Sequence, residues 1–224
     1  MFRDTLFLSP KYKLEDHKKL FINLTANSNR HDWKTAIEIF KDRIEGRFLN
    51  VTKNLLKECS GDESLSTAFS VMALNCLLIE TLQQFYDGTD ETPSPNKDTF
   101  VNFLMSSPYF SESNKAYQKR HKKVLGNGFD KELAEHFYKN VRCGLLHQAQ
   151  TKRNAVISYY TPHMVDMITY EGWVLYDVKK ITESLEKEFN RYIERLKDNF
   201  QHEKRGNFCK KWKFIIEKEH SLRT

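Results

Sequence analysis

The sequence predicts a mainly α protein, a helical bundle with a small β-hairpin before the last long helix. Long stretches repeat apolar residues at spacings of three and four, which is the helical period. A short run rich in β-branched and aromatic residues interrupts that pattern late in the chain. The one marked breaker-rich stretch, "DGTDETPSPNKD" (87–98), reads as a loop inside a single domain of 224 residues.

The first helix is expected over 30–58. Asp32 can cap it, and Trp33, Ile37, Phe40, Ile44, Phe48 and Val51 form one apolar stripe. The next, over 62–88, is apolar over a wide arc and reads as the central helix, with Gly88 as its stop. A short helix over 97–107 ends before Pro108. The helix over 130–150 carries Leu133, Phe137, Val141 and Leu145 at strict i+4 spacing. "NAVISYY" and "MVDMITYEGWVLYDV" are strand-like, and Glu171-Gly172 marks a hairpin turn. The helix over 179–200 aligns Ile181, Leu185, Phe189, Ile193 and Leu196, and the last 24 residues form a basic tail.

The core helices with the site motif are expected over 30–150, with 151–200 as an extension of hairpin plus helix. Aromatic residues make up 13% of the chain, which supports a real core. No run approaches 18 uninterrupted apolar residues, so no membrane span is expected, and "MFRDTLFLSPKYKLED" does not read as a signal peptide. Cys59, Cys76, Cys143 and Cys209 are scattered without CxxC spacing, which points to reduced thiols, no zinc site and a cytoplasmic setting.

The net charge is +6, and the excess is local. "NKAYQKRHKKVLGNG" (114–128) holds Lys115, Lys119, Arg120, Lys122 and Lys123 with no acid. From Phe200 onward there are seven Lys or Arg against three Glu. Such blocks attract polyanions, RNA first among them, although basic loops also simply solvate a protein.

Several chemistries find no motif here. There is no Gly-rich phosphate loop, no HExxH and no GxSxG elbow. The carboxylates of "ITESLEKEFNRYIERLKD" alternate with basic residues, as on a solvated helix face. Glu80 interrupts an apolar run and reads the same way, beside Gln84 and Asp87.

What remains is Arg142 and His147 in "NVRCGLLHQ" (140–148). An R-x4-H motif late in an α bundle resembles the HEPN superfamily, many of whose members are metal-independent endoribonucleases. They include toxins of toxin–antitoxin pairs, phage-defence proteins and CRISPR-associated ribonucleases. "FYKNVRCGLLHQAQ" looks like one branch of that group, and "CLLIETLQQFYDG" (76–88) and "RIEGRFLNVTKNLL" (43–56) look like its earlier helices.

The resemblance implies an HEPN-like bundle, no cofactor or metal, and RNA as substrate. Arg142 would hold the phosphate and His147 would move a proton, since imidazole titrates near neutral pH. The implied products are a 2′,3′-cyclic phosphate and a 5′-hydroxyl. Lys119, Arg120, Lys122 and Lys123 are the expected RNA-binding cations. Arg43 and Arg47, four apart on one helix, could extend a phosphate groove, although exposed snorkelling arginines are the simpler reading. Asn140, Asn75 and Gln148 are candidate supports, with a satisfied core amide as the simpler reading of Asn75. Where many relatives have a polar residue after the Arg, this chain has Cys143, and Ala149 stands at the tyrosine modified in one toxin–antitoxin branch.

Five residues of α-helix turn the chain by about 140° and advance it ~7.5 Å, so one straight helix would not converge Arg142 on His147. Either Gly144 marks a kink or close approach, or a second copy completes the site across a twofold axis. The expected partners are therefore RNA, a second copy of the chain, and an antitoxin or sensor protein, with no membrane. A non-catalytic helical module that binds RNA or protein, or a subunit active only with a partner, is the alternative function.

Overall fold

The computed structural model describes residues 7–58, 64–91, 97–111, 128–168 and 172–221. The protein is mainly α with a small three-stranded sheet. It divides into two compact units. The first comprises Met1–Val51, Thr81–Thr92 and Phe189–Thr224; the second comprises Thr52–Glu80 and Pro93–Glu188.

The first unit contains α1 (Leu14–Asn23), α2 (Arg30–Ile44), the last residues of α4 (Ser64–Asp87), the second half of α8 (Val178–Lys197) and α9 (His202–Ser221). Asn29 caps α2 by accepting from the Asp32 N–H, so Asp32 belongs to the first turn rather than the cap. Aromatic residues build the core. Phe40 lies 4.5 Å from Phe85 and 5.2 Å from Phe208, and Phe21 stacks on Trp212 at 4.2 Å. The buried Tyr192 hydroxyl donates to the Phe85 carbonyl at 3.1 Å. The expected basic tail is thus largely α9, which buries Phe208, Trp212 and Ile216.

Gly88 ends α4 with φ +64, and Asn207 of α9 sits against it. A side chain there would meet both a left-handed backbone and the Asn207 Cα. The expected stop is therefore also a packing site.

The helix expected over 30–58 is interrupted. A π-helical turn, Glu45–Leu49, separates α2 from α3 (Asn50–Glu58), and the Asn50 N–H bonds Glu45 five residues back. The extra residue rotates the buried face. Leu49 and Thr52 are buried at 3% and 1% exposure, while Val51 of the expected stripe is 38% exposed.

In the second unit, α6 (Lys131–His136) begins at Asp130, which accepts from the Leu133 N–H. It passes through a π-helical turn, Phe137–Arg142, into α7 (Cys143–Gln148). In a pure α-helix an i+4 stripe drifts by about 40° per step. The wider π turn removes part of that drift, and all four of Leu133, Phe137, Val141 and Leu145 are buried. Phe100 of α5 (Lys97–Ser106) stacks on Phe137 at 5.9 Å.

Three strands follow: β1 (Ala155–Ser158), β2 (Val165–Ile168) and β3 (Trp173–Asp177), in the order β1-β3-β2. β2 and β3 form the expected antiparallel hairpin, with Val165 opposite Tyr176, and β1 adds a parallel edge. Asp177, fully buried, caps α8 through the Lys180 N–H and also accepts from the Thr161 N–H and hydroxyl. Tyr176 packs on Phe137 at 4.9 Å, and its hydroxyl meets His136 Nδ1 at 2.7 Å. His136 Nε2 reaches Asn154 Oδ1 at 3.0 Å, so this imidazole ties α6 to the sheet.

One window of α4, Thr67–Asp87, is long and apolar enough to cross a membrane by length and composition alone, with mean hydropathy 1.2. More than half of it, 56%, is buried within the protein. Two of its polar residues reach partners on other helices: Asn75 bonds Thr182, and Glu80 bonds Arg142.

Candidate functional site

Arg142 is the last residue of the π turn, where the Cys143 N–H reaches back to the Tyr138 carbonyl. That turn sets the Arg142 side chain against α4. Its Nε donates to Glu80 Oε1 at 2.6 Å and its Nη2 to Glu80 Oε2 at 3.1 Å. The pair is bidentate, and each side chain is only 13% exposed. The Tyr138 ring lies 5.6 Å from the guanidinium carbon.

The electrostatics follow from this enclosure. Burial disfavours the charged form of Arg142, but the hydrogen bonds and charge of Glu80 outweigh it and raise its pKa. Burial, and then the neighbouring Cys143, push the Tyr138 phenol upward. Burial raises the Cys76 thiol well above its ordinary value, and the Glu80 carboxylate adds to the effect. Cys76, Glu80, Tyr138, Arg142 and Cys143 therefore form one local cluster holding a carboxylate–guanidinium pair.

Gly144 lies inside α7, where a close approach leaves no room for a side chain. It is buried, and a Cβ there would collide with the Gln150 carbonyl and lie 3.2 Å from Thr151 Cα. The chain leaves α7 through Ala149, in the left-handed region at φ 51, and folds back across Gly144. The Lys152 N–H then donates to the Asn140 carbonyl at 2.8 Å. The close approach at Gly144 is thus made by the loop after α7, and not by a second helix.

His147 lies in the last turn of α7 and is exposed, next to Leu146 at 39% exposure and exposed Gln148. Its side chain makes no hydrogen bond among the described residues. The regular α7 between them carries Arg142 inward onto Glu80 and His147 out to solvent. Within one chain the two side chains serve different faces.

The supporting candidates divide. Asn75 donates to the Thr182 hydroxyl at 2.8 Å, while its Oδ1 is buried without a partner among the described residues. Asn140 is 3% exposed, and its Oδ1 is likewise unpartnered among them. Arg43 and Arg47 lie in the first unit and hold the N-terminal segment: Arg43 donates to the Leu8 carbonyl and Arg47 to that of Phe7. Arg43 also stacks over Trp212 at 5.5 Å. Lys119, Arg120, Lys122 and Lys123 lie outside the described residues. Among the described residues no three His, Cys, Asp or Glu gather as metal ligands.

Glu80 is the residue that sequence reasoning misplaced. It reads as part of a solvated stripe, yet it is the partner of Arg142. The available signal was its isolation: Glu80 is the sole charged residue between Ser64 and Tyr86. Such a carboxylate on a largely buried helix needs a cation. Compared with family models, curated proteins and solved structures, the chain matches none.

Proposed function

We propose that this chain is a metal-independent endoribonuclease of the HEPN type, acting in the cytoplasm as a toxin or phage-defence effector. The observation that carries the reading is the R-x4-H motif with its two side chains in different states. Arg142 is oriented by a carboxylate, and His147 stands exposed five residues later.

Glu80 occupies two of the five guanidinium N–H groups and Cys143 also bonds the guanidinium, so phosphate oxygens would meet the N–H groups that remain. A second copy of the chain, related by a twofold axis, supplies the His147 that faces this edge. In the reaction the ribose 2′-oxygen attacks the adjacent phosphorus and the bond to the 5′-oxygen breaks. The 2′-hydroxyl proton leaves to a base, and the departing 5′-oxygen receives a proton. His147 performs one of these transfers, and Arg142 offsets charge on the phosphoryl oxygens. No water is consumed, so the ends are a 2′,3′-cyclic phosphate and a 5′-hydroxyl.

The test is incubation of the purified protein with RNA in EDTA, with product ends read by mass spectrometry. Cleavage leaving cyclic phosphates supports the reading; intact RNA, or 5′-phosphate ends, contradicts it.

The enclosed Arg142–Glu80 pair favours one second reading. If it serves only packing, the chain is a helical module that binds RNA or protein, or a subunit that cuts only with a sensor or antitoxin. Binding without cleavage, unchanged in His147→Ala, would support that alternative.

A further inference from the structure

The first unit contains a cavity of about 740 Å³, remote in sequence from the R-x4-H motif. Arg30, Lys34, Lys197 and Arg205 line it, and no Asp or Glu does. Two long helices also begin there, α2 at Arg30 and α9 at His202. The first N–H groups of a helix lack intrahelical acceptors and favour negative charge. The nearby carboxylates are engaged locally. Asp198 accepts from the Phe200 N–H and the Gln201 amide, Asp32 accepts from Asn29, and Glu194 pairs with Lys197 at 2.7 Å, which leaves Arg30, Lys34 and Arg205 as the cations facing the cavity.

Arg205 is the lining cation whose surroundings best suit an anion. It is 5% exposed and stacks on Trp33 at 4.4 Å, yet among the described residues it bonds no carboxylate. Its donors reach the carbonyls of Leu196, Ala26 and Lys197 at 2.9, 3.3 and 3.2 Å. That uses three of the five N–H groups a guanidinium carries. Burial accordingly lowers its pKa, with only the charge of Asp198 and Cys209 opposing. A buried cation whose donors meet only carbonyls, with its one carboxylate neighbour not in direct contact, gains from an arriving anion.

The remaining walls are apolar. Trp33 and Ile37 form one side, and Phe200, 82% exposed, offers a free ring at the mouth. A bare phosphate would need neither the rings nor this volume, which falls in the range of small-molecule sites. We propose that the cavity binds a nucleotide, its phosphates among Arg30, Lys34 and Arg205, with Lys197 held by Glu194 at the edge, and its base against Phe200 and the Trp33–Ile37 wall. This site is independent of RNA cleavage and would stand if that activity were absent.

The test is calorimetric titration of the full chain with ATP, GTP, adenosine, sodium tripolyphosphate and a short single-stranded RNA. ATP or GTP is expected to bind one per chain, at least about tenfold more tightly than adenosine or tripolyphosphate. The exposed double variant Arg30→Glu/Lys34→Glu should lose at least about tenfold in nucleotide affinity, and Phe200→Ala should weaken ATP but not tripolyphosphate. Thermal melts matching the wild type establish that both variants fold. No binding of either nucleotide, or equal binding by the charge-reversed variant, would overturn the proposal. Equal affinity for tripolyphosphate and ATP would reduce the site to a simple anion trap and overturn it too. Binding of the RNA alone, sensitive to the same variants, would instead make it a nucleic-acid contact.

Discussion

Arg142 and Glu80 meet through two hydrogen bonds of 2.6 and 3.1 Å, joining a π turn to the one acidic side chain in an otherwise uncharged stretch of α4. The pair fixes a guanidinium that would otherwise be a half-buried, uncompensated cation. Glu80→Ala is expected to destabilise the protein by about 2–3 kcal/mol in urea unfolding, because the charge is left without its acceptor. RNA cleavage should fall as Arg142 loses its orientation. A loss under about 0.5 kcal/mol would mean that the pair contributes little.

A site shared between two copies makes a separate forecast. Arg142→Gln and His147→Ala should each be inactive alone. Mixed under conditions that exchange subunits, half of the dimers are heterodimers, each with one intact Arg142–His147 combination. Activity should return to roughly a quarter of wild type. No recovery, with exchange verified by mass spectrometry, would place the reacting groups within a single chain.

Gly144 distinguishes packing from helix propensity by sign. In an unobstructed helix interior Gly→Ala would stabilise by about 1 kcal/mol. Here the new methyl meets the Gln150 carbonyl and the Thr151 backbone. Gly144→Ala is therefore expected to destabilise by about 1–3 kcal/mol in denaturant melts. A stabilised variant would show that the returning strand moves aside easily.

The buried thiols predict alkaline sensitivity. Burial pushes Cys209 up to about 11 and Cys76 higher still. In the unfolded chain both ionise near the ordinary thiol value, about 8.5. Because the folded values are raised, their contribution to stability is complete below that pH and is lost as pH climbs through the folded values. Urea midpoints should fall from about pH 9 to 11, and less steeply in Cys209→Ala. At pH 8, a thiol reagent followed by peptide mapping should label the half-exposed Cys143 before Cys76 and Cys209.

Much of the helical frame was legible because it rests on long periodic faces. Ile181, Leu185, Phe189, Ile193 and Leu196 are all buried as their spacing implies, and Gly88 does end α4. The two π turns were not legible. They insert a residue without any composition change, so Phe48 and Val51 were expected where Leu49 and Thr52 are buried. The helix of the basic tail was obscured by its lysines, although Phe208, Trp212 and Ile216 recur at i+4. The parallel edge of β1 comes from a long-range pairing that local pattern does not encode. At the site, the motif itself was readable, but the partner of Arg142 lies 62 positions away on a different helix.

The most direct measurement compares wild type with His147→Ala on the same RNA in EDTA, with matched melts establishing equal folding. The His147 side chain is exposed and without a hydrogen-bond partner among the described residues, so its removal should leave stability within about 0.5 kcal/mol. The expected result is RNA cleavage by the wild type and a loss of about 10²–10⁴-fold in the variant. Equal cleavage by both proteins, or none by either, would contradict a catalytic role for His147.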